Sequence, residues 1–256
     1  MMRALAAALL VLWLGASARA ERLIVSVSNH RVTVTPNYSG EELVLFGSVE
    51  KDAATPADRT AYDLVVTVMG PHADMVTRRK ERRFGIWINA DYRPFLQVPT
   101  YLAVFANRPL DNIASAEVQR RQQLGLNNMI LTQRVGPDYA DVVPSDPFRS
   151  AFVRLRSERG LYREDNSAVT FLTPTLFRTG IPLPAAVPIG TYEIEIKLFS
   201  NGVFLAKTES AFEIIKVGFE QFVANNARQN GFIYGLITTA MALMSGWMAS
   251  IVFAKE

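Results

Sequence analysis

Cysteine is absent from the 256-residue chain, which excludes a disulfide framework, a cysteine-ligated zinc and thiol catalysis. Histidine is scarce, with only His30 and His72 available for imidazole chemistry. Charge of one sign is also lacking. Lys and Arg number 27 against 24 Asp and Glu, and Arg3 and Arg19 lie in a segment expected to be removed, so a nucleic-acid partner is not expected. Zinc-protease, Walker, nucleophile-elbow, dinucleotide and EF-hand patterns do not occur. Neither a Gly/Ser/Pro-rich linker nor an internal repeat divides the chain. The remainder, 49% hydrophobic and 20% charged, is globular composition and excludes disorder, collagen and coiled coil.

Two apolar segments stand out. Near the N-terminus, Arg3 precedes an uninterrupted apolar run over residues 4–14, followed by Ala18 and Ala20 at the small-residue positions of a signal-peptidase site. Residues 1–20 are therefore expected to be a secretory signal cleaved before Glu21. As a helix, such a run spans only about 16 Å of a hydrocarbon core about 30 Å thick. Near the C-terminus, no charge occurs between Arg228 and Lys255, and residues 231–253 make a helix of about 35 Å, enough to cross a bilayer with modest tilt. Export followed by a stop at this helix puts residues 21–230 in an exported compartment, with 218–230 as a juxtamembrane linker and 254–256 as a cytoplasmic tail.

Strand signals dominate the beginning and end of the exported region. Residues 23–27, 31–35, 43–49 and 63–69 are β-branched or apolar runs between polar or Pro/Gly-containing stretches. Residues 191–198 alternate strictly, with Thr191, Glu193, Glu195 and Lys197 expected on a wet face and Tyr192, Ile194, Ile196 and Leu198 on a core face. Ser200, Asn201 and Gly202 form a turn into a strand at 203–207, and a further strand is expected at 211–217. The middle has helical signals: Asp146 as N-cap, Pro147 at the first position and Gly160 past the end, with a weaker helix at 111–124 closed by Gly125. The fold class expected is mainly β: an immunoglobulin-like β-sandwich spanning 21–217 with a helical insertion at about 108–163, plus one C-terminal transmembrane helix.

A series of residues spread over the chain carries a family likeness. It runs through Pro36, Asn37 and Gly40; Leu45, Phe46 and Gly47; Val65, Val66, Gly70 and Pro71; and Gly85, Ile86, Trp87 and Asn89 with Val98, Pro99 and Tyr101. It continues with Leu176, Phe177 and Arg178; Leu183, Pro184, Pro188, Gly190 and Tyr192; Lys216, Gly218 and Glu220; and Tyr234, Gly235, Gly246 and Trp247. In this order they resemble a family of alphaproteobacterial transmembrane proteins whose function has not been established. The resemblance implies a Gram-negative inner membrane, single pass, with an exposed periplasmic domain. It implies no catalytic residue, cofactor or metal.

Three clusters remain as site candidates. Arg78, Arg79, Lys80, Arg82 and Arg83, with Glu81 among them, give a net +4 in six residues; they read as a solvated loop, as charge guarding a strand, or as a contact for an anion, a headgroup or an acidic partner. Glu193 and Glu195 share a strand face, but Lys197 beside them makes solvation a better account than paired acid catalysis. Gly231, Gly235, Thr238, Ala242, Gly246 and Ser250 line up every few residues along the tail helix, where small side chains let helices pack closely in lipid. Two functional classes follow. The first is a noncatalytic accessory protein that binds another membrane protein, such as a transporter, or itself. The second is a tethered small-anion-binding module or enzyme with its pocket between insertion and sandwich and Arg side chains on the ligand.

Overall fold

The computed structural model describes residues 21–51, 61–135, 138–218, 227–228 and 231–253. The expected signal, the expected cytoplasmic tail and most of the expected linker lie outside the described residues. The protein is mainly β, with three sheets and one C-terminal apolar helix. One sheet has the order β1-β3-β12-β11, formed by Arg22–Val27, Gly40–Glu50, Leu176–Pro184 and Val169–Phe171. A second runs β10-β7-β4-β13-β14-β2, formed by Tyr162–Asp165, Leu102–Ala106, Asp63–Met69, Gly190–Ser200, Val203–Lys216 and Arg31–Val34. Leu43 and Leu45 of the first sheet and Leu64, Val66, Ile194 and Ile196 of the second are fully buried in one common core. Strands from both ends of the sequence share each sheet, because β3 pairs with β12 and β4 with β13.

The second sheet is covered on its outer face as well. Helices α1 (Leu110–Ile113) and α2 (Ala116–Arg121) place Leu110 and Ile113 against Val65, Val104 and Phe199 in a separate cluster. This explains why β7 is wholly apolar and β4 apolar but for Asp63 and Thr67: a strand buried on both faces has little wet surface to mark with polar residues. The same cover corrects the expectation for residues 191–198. Lys197 is only 7% exposed, so the face expected to be wet is dry at that end.

Between β4 and β7 the chain makes a long hairpin that the sequence reading did not anticipate, β5 (His72–Arg83) and β6 (Ile86–Pro99), turning at Phe84 and Gly85 with both at positive φ. With β8 (Thr132–Val135) and β9 (Asp138–Asp141) it forms the third sheet, β5-β6-β8-β9. The insertion at 108–163 is thus partly β and not helical throughout. The helix expected at 111–124 is also broken, because Ala114 is extended and Ser115 restarts the chain as N-cap of α2, accepting from the Val118 amide. By contrast, α3 (Pro147–Glu158) has the expected ends: Asp146 Oδ1 accepts from the Phe148 amide at 2.7 Å, and Gly160 follows at φ +69°. The strands expected at 203–207 and 211–217 are one, β14. The polar residues between them, Thr208 to Ser210, look like a turn in sequence but pair opposite Ile196 to Ile194.

Candidate functional site

Glu195 and Lys197 stand two apart on β13, so they share its outer face, and Lys207 and Glu209 stand opposite them on β14. The register places Glu195 directly across from Glu209 and Lys197 across from Lys207, an unfavourable arrangement for bare cross-strand pairs. It is relieved along the diagonals and strands: Glu195 ion-pairs with Lys197 and, at 3.0 Å, with Lys207, which also meets Glu209 at 2.9 Å. Burial alone would raise the Glu195 pKa, but hydrogen bonds and positive charge from Lys197 and Lys207 outweigh it and hold the carboxyl below its ordinary value. Lys207 is pushed up by its hydrogen bonds to Glu209 and Glu195. Lys197 also donates to the Gln122 carbonyl at the end of α2, which ties the insertion to the sheet.

Beside this network lies a cavity of about 220 Å³ between the sheet and the insertion, bounded by Thr67, Glu195 and Lys197 below and Gln123, Met129 and Thr132 above. The Thr67 hydroxyl is buried there without a hydrogen-bond partner. His72 and Gln97 sit at its rim, whereas His30 is distant, its carbonyl accepting from Glu213. The cavity has the place anticipated for a pocket between insertion and sandwich. Its cation is a lysine already neutralised by Glu195, and no arginine belongs to its lining. Glu193 remains exposed on the same strand, apart from the Glu195 ion pairs. Among the described residues, no group of three or more His, Asp or Glu side chains could hold a metal.

Arg149 was not singled out from sequence. Only 4% exposed on α3, it donates to the carbonyls of Val142, Asn127 and Met129 and pairs with Asp141 at 3.3 Å. It is a strut for the insertion above the cavity, and its only trace in the sequence is an arginine one turn before Phe152 on the apolar side of the helix.

The basic cluster falls on the outer half of the β5-β6 hairpin and is a strand segment, not a loop. Arg78, Arg79 and Lys80 border a groove against α3 whose floor includes Phe148 and Leu155. Arg79 and Arg83 pair with Glu81 at 3.2 Å, and Arg93 lies over the Phe148 ring at 5.5 Å. Beyond the groove, Arg82 stands opposite Trp87 and Arg83 opposite Ile86, with Phe84 at the turn; all three apolar side chains are exposed.

The tail helix α4 (Gly231–Phe253) carries an 18-residue stretch, Tyr234–Ile251, long and apolar enough to cross a membrane and with none of it buried. A Cβ added at Gly231, Gly235 or Gly246 would meet nothing within 4 Å. Thr238 and the neighbouring Thr239 donate back to carbonyls of the preceding turn, which satisfies their hydroxyls without a partner helix.

A family model described as "Putative transmembrane protein (Alph_Pro_TM)" matches residues 22–255. No curated protein matches. Among solved structures, the N-terminal domain of the Streptococcus gordonii adhesin Sgo0707 is similar at 6% identity and a TM-score of 0.29, over 76% of this chain. This chain spans about a third (32%) of that one. The chain belongs to the Alph_Pro_TM family of alphaproteobacterial transmembrane proteins.

Proposed function

We propose that this family member is a noncatalytic accessory protein: a periplasmic immunoglobulin-like sandwich held at the inner membrane by α4, through which it engages another membrane protein, such as a transporter, or a second copy of itself. The observation that carries the reading is α4, an apolar helix of 23 residues whose stretch Tyr234–Ile251 is left unburied by the described residues. Its small residues, Gly231, Gly235, Thr238, Ala242, Gly246 and Ser250, would let a second helix approach closely where lipid offers no hydrophobic drive.

The sandwich class is supported by strand order. β1-β3-β12-β11 and β2-β14-β13-β4-β7 follow the A-B-E-D and A′-G-F-C-C′ orders of variable-type immunoglobulin sheets. At the start of β13, the Tyr192 hydroxyl donates to the Pro188 carbonyl at 2.7 Å, the bond of a tyrosine corner.

Two experiments test this reading. Protease added to spheroplasts should digest the domain, and an intact domain would overturn the orientation. Copurification from gently solubilised membranes should yield a stoichiometric membrane partner or a self-associated form. A lone protein carrying a bound small molecule would favour the second reading, a tethered binding module or enzyme. The observation behind that alternative is the cavity with the unpartnered Thr67 hydroxyl.

A further inference from the structure

The base of the β5-β6 hairpin lies at the end of the sandwich from which the chain leaves for α4. Met69, which ends β4, is paired with Glu193 near the start of β13 and with Leu102 at the start of β7. Pro71, next in the chain before β5, approaches Gly190, and Gly190 pairs with Ile214, two residues before β14 ends. His72 and Pro99, the two ends of the hairpin, therefore sit at the end of the sandwich where β14 ends. From Gly218 to Gly231 the chain can span at most about 45 Å. The twelve residues of β5 extend about 40 Å.

The outer half of this hairpin has the composition of a lipid-interface element. Phe84, Ile86 and Trp87 form an exposed apolar tip and Tyr92 is exposed further back, while residues 78–93 carry a net charge of +4. Cross-strand register sets a cation opposite an apolar or aromatic side chain at three positions, Arg78 with Tyr92, Arg82 with Trp87 and Arg83 with Ile86, while Arg79 faces Asp91 and Lys80 faces Asn89. Long arginine stems can lie along the apolar tip while their guanidinium groups stay at headgroup level, and Trp and Tyr favour that same depth. Leaving three large apolar side chains exposed at the hairpin tip is otherwise unrewarded, since they contribute nothing to either core.

We propose that the β5-β6 hairpin is a second membrane contact, inserting Phe84, Ile86 and Trp87 into an anionic bilayer while Arg78, Arg82 and Arg83 bind its headgroups. The bilayer is the one crossed by α4, so the inference rests on the anchor reading. Two attachments, one spanning and one interfacial, fix how far the sandwich stands from the membrane and which way it faces. The negative surface attracts each nearby cation by an amount that makes three of them decisive for the inserted state.

The absence of native cysteine makes single labels unambiguous. The full chain, reconstituted in nanodiscs with or without phosphatidylglycerol, is labelled with a fluorophore at Ile86→Cys, at Leu243→Cys in α4, or at Val203→Cys beside the β13-β14 turn at the far end. Nitroxide lipids should quench the Leu243 label in both bilayers, the Ile86 label when phosphatidylglycerol is present, and the Val203 label in neither. Replacing Arg78, Arg82 and Arg83 by Ser should lower the ratio of inserted to withdrawn Ile86 label on the order of a hundredfold. A quenched Leu243 label with an unquenched Ile86 label in anionic bilayers would overturn this proposal alone. Quenching at Ile86 that ignores both the lipid charge and the Arg substitutions would overturn it too, as would protection of Ile86 only when an acidic protein is added. An unquenched Leu243 label would overturn the anchor reading and this inference with it.

Discussion

The ring of Phe177 on β12 lies across Gly47 on β3, so close that a Cβ at Gly47 would stand 2.2 Å from its Cζ. The two residues are register partners facing the shared core, and Phe177 is completely buried. Glycine here supplies volume for its neighbour and needs no unusual backbone angle.

Gly47→Ala should therefore destabilise the protein by about 1–3 kcal/mol through overpacking. Pairing it with Phe177→Leu should cost less than the sum of the two single changes, as measured by urea denaturation in a double-mutant cycle. Additive costs would show that the ring moves aside freely.

Removing the carboxylate of Glu195 leaves Lys197 buried beside the Gln122 carbonyl with no counter-charge. Glu195→Ala should cost about 3 kcal/mol, whereas exchanging both residues for Gln and Met should cost clearly less. Because the Glu195 pKa is lowered on folding from its ordinary 4.5, its stabilisation is complete above that pH and is lost as pH falls through the folded value. Thermal melts should show this acid-side loss in the wild type and a reduced slope below pH 4.5 in the Gln/Met variant.

Arg149→Met keeps much of the side-chain volume but leaves the carbonyls of Val142, Asn127 and Met129 without this donor. Each buried acceptor so deprived costs about 1–3 kcal/mol. The insertion should loosen before the sandwich does, seen as faster amide exchange at Leu131 and Val142 with exchange at Ile194 and Ile196 less affected. Uniform acceleration across both sheets would show that insertion and sandwich open as one unit.

Replacing Gly235 and Gly246 by Leu preserves the hydrophobicity and length that insertion needs, and open space surrounds both positions within the protein. The double variant should insert and accumulate normally yet lose its membrane partner or self-association, read by crosslinking from a single cysteine at Thr238 or Ala242. Unchanged crosslinking would leave the helix as a tether only.

What the sequence disclosed depended on how many faces of each element meet water. Residues 63–69 and the capped helix after Asp146 were legible because apolar runs and cap residues are local signals. The β5-β6 hairpin was not, since its charged outer half follows no two-residue hydrophobic alternation and mimics a loop. Lys197 reads as wet because its cover, α1 and α2, comes from a segment about eighty residues earlier, whose docking no local pattern announces. Arg149 was missed for the related reason that its carbonyl partners lie on a loop that only the fold brings under α3.

The sandwich sheets end on short borders: β11 has three residues, β10 and β2 four each, and β1 six. A protein moored to a bilayer is concentrated in two dimensions, where neighbours collide far more often than in free solution at equal abundance. Long flat borders would there recruit one another into extended sheets, a hazard that a three- or four-residue strand barely offers. Lateral encounters through these two sheets should therefore remain reversible, leaving assembly to be governed by groups other than their backbone borders.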